Sequence, residues 1–294
     1  MTTAVSLMLL TGALWALVGV LFGAAPPDKD KLYPFFALNG ILFAVFVFAA
    51  QPPSAAPAGE VLRLAAAIVP SAALEVAAFL LLKFAMDRGS QGIAWCVAQS
   101  AMAVSFVCSV VFLHNPATVA RWTGLALTLA ALVLFARGKT SKGAVGNDAR
   151  YFRLVFASFG LIGAAQFLRL LPGYMGFSDE TLAWRLPLQA PVGAVVWTAV
   201  CLAKRFRPSA AVWKLALPYA AVVAVSQIVF YRAVDAADAL RATSLVMPVS
   251  IGTCILLFAL WCCFVRRERL SPAGWIAVAL DLAGIALLSW QATE

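Results

Sequence analysis

Pro70-Ser71-Ala72-Ala73, followed by Ala85-Met86-Asp87, is written a second time as Pro218-Tyr219-Ala220-Ala221 and Ala233-Val234-Asp235. The offset is 148 residues throughout, about half of the 294-residue chain. A second match closes each half: Trp122-Thr-Gly-Leu-Ala-Leu-Thr-Leu-Ala-Ala and Trp275-Ile-Ala-Val-Ala-Leu-Asp-Leu-Ala-Gly, now 153 residues apart. Two related halves in a chain this apolar point to a membrane protein built by duplication.

Apolar residues make up 63% of the chain and Asp, Glu, Lys and Arg only 12%, where a water-soluble domain has about 45 to 50% and about 25%. A soluble fold could not hide so much apolar surface. The six cysteines, Cys96, Cys108, Cys201, Cys254, Cys262 and Cys263, lie in apolar runs without Cys-x-x-Cys spacing. They read as small buried hydrophobes. The single histidine, His114, has no metal-binding neighbour in the sequence and reads as an interfacial loop residue. No metal and no cofactor is expected.

Apolar stretches of about 20 residues occur ten times: 4–24, 32–50, 61–86, 91–113, 119–136, 152–172, 179–203, 211–234, 239–264 and 272–290. Turn formers and charges separate them, including Pro26-Pro27-Asp28, Asp87-Arg88-Gly89 and the basic 137–150 loop. Gly23-Ala24-Ala25 resembles a signal cleavage site, but no Lys or Arg precedes Lys29 and the apolar run exceeds a signal core. The first segment is therefore expected to remain as a helix. The expected fold is all-α and integral to the membrane, with ten transmembrane helices forming two five-helix repeats of inverted topology. The repeats span residues 1–138 and 152–294, joined by a basic loop at 139–151.

Of the 22 basic residues, sixteen fall at odd-numbered connections, among them Lys29, Lys31, Arg88, Lys139, Lys204 and Arg266. Six fall on the other side: Arg63, Arg121, Arg169, Arg185, Arg232 and Arg241. The positive-inside rule places the odd connections in the cytoplasm and both chain ends outside. The net charge of +9 belongs to this anchoring, and no recognition motif accompanies it, so nucleic acid is not an expected partner.

The two five-segment halves, the Trp-x-(Gly/Ala)-x-Ala-Leu-x-Leu-Ala-(Ala/Gly) helix closing each, and Arg266-Arg-Glu-Arg-Leu-Ser-Pro-Ala-Gly-Trp275 resemble the EamA-like drug/metabolite transporter superfamily. Met247-Pro248-Val249-Ser250-Ile251-Gly252 is similar to a segment of the bacterial sugar-uptake carriers, and the basic connection after the first helix resembles the rhamnose type. Asn115 stands where the second half has Glu268, a position at which members often carry Gly-Glu. The resemblance implies that segments one to four and six to nine line a central cavity. Segments five and ten then sit outside, stabilising the halves or a homodimer.

Polar residues inside spans are costly in lipid and should face a cavity or a partner helix. In segment three, Ser71, Glu75, Phe79 and Lys83 recur every four residues on one face; the corresponding face of segment eight is Tyr219, Val223, Gln227 and Tyr231. Segment four adds Trp95, Gln99 and Phe106, segment nine adds Ser244 and Pro248, and segment two adds Asn39. Segment six carries Gln166 and Arg169. Segment seven carries Trp184, Arg185 and Gln189 between Pro187 and Pro191, whose missing amide donors should loosen the helix. From these, Asn39, Glu75, Trp95, Gln99, Gln166, Trp184, Arg185, Gln227, Tyr231 and Ser244 are the expected substrate-binding residues. Their rings and amides suit an uncharged polar or zwitterionic solute.

Glu75 lies midway along its span, where an unpaired carboxylate costs several kcal/mol. It is either a proton-coupling or amine-binding group, or one half of an ion pair with Arg185 or Arg169. Asp281 is equally deep and is expected in a helix-packing or dimer contact. Gly12, Gly160, Gly163 and the Gly19-x-x-x-Gly23 spacing would let helices approach closely.

The expectation is a secondary carrier in the inner (plasma) membrane that moves a small polar organic solute by alternating access, with Glu75 the candidate for proton coupling. Its partners are that solute and membrane lipids. A membrane-embedded enzyme would need a nucleophile, metal or acid–base cluster, against which stand one His, scattered Cys and no paired carboxylates on a helix face. A lipid flippase or scaffold is the third reading.

Overall fold

The computed structural model describes residues 2–114, 117–137, 149–238, 246–268 and 270–288. Apolar runs with few breakers satisfy their backbone groups internally only as helices when water is absent, and the described residues contain helices and no strand. The helices are α1 (Thr2–Gly23), α2 (Lys29–Ala50), α3 (Ala58–Met86), α4 (Gln91–Gln99), α5 (Met102–Leu113) and α6 (Val119–Arg137). They continue as α7 (Ala149–Leu170), a 3-10 turn (Leu171–Tyr174), α8 (Asp179–Leu182), α9 (Arg185–Lys204), α10 (Ala210–Asp238), α11 (Val246–Phe264) and α12 (Pro272–Leu288). Seven stretches are long and apolar enough to cross a membrane: α1, α2, α3, α4 with α5, α7, α8 with α9, and α10 up to Val234. Three shorter apolar helices run over Val119–Phe135, Val249–Phe264 and Pro272–Leu288. Most of the 139–151 loop, Asn115 and the start of the ninth segment lie outside the described residues.

Local chemistry sets the helix ends. The Ser90 hydroxyl accepts from the Ile93 amide at 3.2 Å and starts α4. The Ser178 hydroxyl accepts from the Thr181 amide at 3.3 Å and starts α8. His114 and Arg205 end α5 and α9 in the left-handed region, with φ of 51° and 57°. His114 is exposed at that end.

Two breaks depart from the expected spans. The fourth is interrupted at Ser100-Ala101, and the seventh at Ala183-Trp184 rather than at its prolines. Pro187 sits in the first turn of α9, where its amide would have no intrahelical partner, and Pro191 is carried inside a continuous helix.

In the bundle α1 packs on α10 and α11, while α7 packs on α3, α4 and α5. Helix α2 packs on α9 and α10, α9 also on α3, and α6 lies along α12. Small residues permit the closest crossings. A Cβ on Gly12 would reach the Ser250 carbonyl oxygen of α11 at 2.5 Å, and one on Gly163 the Ala101 carbonyl oxygen at 2.9 Å. A Cβ on Gly124 would meet the Gly284 carbonyl oxygen at 2.7 Å, so α6 and α12 touch backbone to backbone. Gly160 departs from expectation, since a Cβ there would meet nothing within 4 Å.

The end of the bundle that carries the α1–α2, α3–α4 and α11–α12 connections is closed. Phe22 is fully buried, and its ring lies 5.4 Å from Phe79, 6.1 Å from Phe36, 6.1 Å from Tyr219 and 6.3 Å from Trp95. Beyond these rings, Gln91 and buried Lys83 both donate to the Gly23 carbonyl, at 3.3 and 3.4 Å. Ser90 donates to Glu268 at 2.7 Å, and the Tyr151 hydroxyl donates to the Ser90 carbonyl at 2.8 Å.

Candidate functional site

A cavity of about 670 Å³ runs from mid-bundle toward the opposite end. Its inner part is walled by Val18, Phe36, Phe79, Trp95, Trp197 and Tyr219. Its outer part reaches the start of α6 at Arg121, the end of α7 at Leu170, the start of α9 at Arg185 and the end of α12 at Leu288. The aromatic cluster around Phe22 is thus its floor, and the mouth lies at the end with Tyr174, Val234 and Val246.

Eight of the expected residues meet in this one lining: Asn39, Glu75, Trp95, Gln99, Gln166, Arg185, Gln227 and Tyr231. Trp184 does not join them. Its indole N–H donates to the Ser54 carbonyl at 2.9 Å, and its ring packs with Leu64, Ile68 and Phe177. Trp184 has helical backbone geometry and its carbonyl accepts from the Leu188 amide at 2.9 Å, so, as neighbours on one helix point about 100° apart, it leaves the face that carries Arg185 and Gln189. Ser244 lies outside the described residues.

The α3 stripe divides along its length. Glu75 and Phe79 face the cavity, whereas Ser71 donates to the Ala165 carbonyl of α7 at 2.7 Å and Lys83 belongs to the closed end. The matching α10 stripe, Tyr219, Val223, Gln227 and Tyr231, lines the cavity throughout.

Glu75 is paired across the bundle with Arg169 of α7, each side chain keeping about a quarter of its exposure, 25% and 26%. The same carboxylate oxygen accepts from Gln189 of α9 at 3.2 Å. Three helices are therefore tied at one carboxylate. Nearby, Asn39 Oδ1, Gln166 Oε1, Arg169 Nε and Arg185 Nε are buried and have no hydrogen-bond partner among the described residues. Groups of this kind are costly unless something polar meets them.

Periodicity did not reveal every lining residue. Trp15, which lies 5.4 Å from Phe230, and Trp197, which stacks 4.9 Å from Phe36, sit in apolar runs that look alike on all faces. The Trp95 ring lines the cavity, but its N–H points away, to Cys254 Sγ at 3.3 Å. Asp281 lies elsewhere, fully buried on α12, and accepts from Ser100 at 2.7 Å, a helix-packing contact at the α4–α5 break. Among the described residues no cluster of His, Cys, Asp and Glu is spaced to hold a metal ion.

No family model and no curated protein matches the chain. Among solved structures, one described only as a crystal structure of a protein is 17% identical, with a TM-score of 0.59 over 97% of this chain and 96% of that one. Similarity at that identity speaks for a shared fold and for nothing more specific.

Proposed function

We propose that the protein is a secondary carrier of the inner membrane that moves a small polar organic solute by alternating access. The observation that carries this is the cavity of about 670 Å³ among the apolar helices, lined with amides, rings and charges from both halves of the chain. Exchange of α1 to α6 with α7 to α12 maps the main helix contacts onto one another: α1 on α10 onto α7 on α3, and α2 on α10 onto α9 on α3. That exchange supports ten membrane-crossing segments in two repeats, and with them the resemblance to the drug/metabolite transporters. Sites between such repeats are reached alternately when one half rocks against the other.

Gln99, Gln227 and Tyr231 contact the solute, and Glu75, the one acid of the described lining, couples its movement to protons. In proteoliposomes, alanine at Gln99, Gln227 or Tyr231 should each weaken uptake of the transported solute, found by screening sugars, amino acids and organic acids, with membrane insertion unchanged. Normal uptake by all three variants would refute the site. Glu75→Gln should exchange solute across the membrane yet fail to accumulate it under an imposed proton gradient.

A further inference from the structure

The carrier's solute is chemically constrained by the charges around it, and we infer that it is an organic monoanion whose carboxylate is held by Arg185. This rests on the carrier function proposed above. Among the described lining residues one acid, Glu75, stands against three arginines, Arg121, Arg169 and Arg185. Glu75 is already engaged, by Arg169 and by Gln189 at 3.2 Å. Arg185 makes no ion pair and no hydrogen bond among the described residues, and its Nε is buried. A guanidinium held among apolar helices requires a counter-charge, and the solute can bring one.

Position favours a carboxylate over other groups. Arg185 opens α9 one helical turn before Gln189, so it stands on the mouth side of the Glu75 pair. Its planar fork matches two carboxylate oxygens. Below it the cavity narrows into the rings of Trp95, Trp197 and Tyr219, which suit an apolar body. The ammonium of a zwitterion, in contrast, would meet no unengaged acid, because the only carboxylate in the described lining is tied to two other helices. The amine-binding role expected for Glu75 is therefore not the one this arrangement favours.

The test uses three probes that share a phenyl body and differ in charge: 3-phenylpropionate, L-phenylalanine and 2-phenylethylamine. Each is titrated into the purified full-length protein, with melting temperature and calorimetric affinity as readouts. 3-Phenylpropionate should raise the melting temperature and bind at least about tenfold more tightly than L-phenylalanine, and 2-phenylethylamine should not bind. Arg185→Gln should abolish that preference, and Arg185→Lys should keep part of it. Equal or tighter binding of L-phenylalanine or 2-phenylethylamine to the unsubstituted protein would overturn the anion assignment and leave the carrier function standing. Absence of a shift with all three at millimolar concentration would also overturn it. The carrier function itself fails separately, if the unsubstituted protein in proteoliposomes takes up none of the screened solutes.

Discussion

At the scale of single residues, the Glu75–Arg169 pair joins opposite charges across the cavity wall. Removing one partner leaves the other charge in a poorly solvated wall, whereas removing both does not. Breaking a fully buried pair costs about 3 to 5 kcal/mol, and the partial exposure of this one should reduce the loss to about 1 to 2 kcal/mol. Glu75→Gln and Arg169→Gln should each lower the melting temperature, and the double variant should be more stable than the sum of the two losses, as a double-mutant cycle reports. Glu75 was legible in the sequence because a carboxylate at mid-span needs an explanation. The choice of Arg169 over Arg185 as its partner was not, since helical periodicity assigns a residue to a face and not to a neighbour on another helix. Trp184 and Arg185 make a related point: adjacent on one helix, they point about 100° apart, and only one of the two directions meets the cavity.

At the scale of elements, the apolar stretches of the sequence coincide to within a few residues with helices wherever they are described, seven of them long and apolar enough to cross a membrane, and their interruptions were not legible. Pro70, Pro191 and Pro218 look like breakers and lie inside continuous helices. Gln99-Ser100-Ala101-Met102 contains no breaker and is interrupted. Backbone groups at the interruption stay paired by tighter local bonds, Ala101 N–H to the Ala98 carbonyl at 3.3 Å and Ala103 N–H to the Ser100 carbonyl at 3.0 Å, while the Ser100 hydroxyl lies 2.9 Å from the Cys96 carbonyl and 2.7 Å from Asp281. Helix crossings give a matched prediction. Gly284→Ala would push a methyl to 2.8 Å from the Gly124 carbonyl oxygen and should cost about 1 to 3 kcal/mol, in line with other overpacked contacts. Gly160→Ala meets nothing within 4 Å and should be neutral or stabilise by about 0.5 to 1 kcal/mol through helix propensity. Thermal unfolding of the two purified variants checks both signs.

At the scale of the whole molecule, the distribution of charge predicts an orientation. Sixteen of the 22 basic residues fall at the odd connections, which include those at the closed end of the bundle. A reporter active only in the cytoplasm, fused after Glu294, should therefore be silent, and activity there would reverse the orientation. In that orientation the mouth of the cavity faces outward and the cytoplasmic end is shut. The repeat of residue pairs was legible in the sequence, but which end of the bundle is closed was not, because a repeat carries no sign of the end at which the rings gather. The plug of rings around Phe22 also matters to the membrane as an insulator. Among the described residues these packed rings leave no watery thread past Phe22 for protons or small ions, so many copies in this shape could stand in one bilayer without short-circuiting the voltage across it.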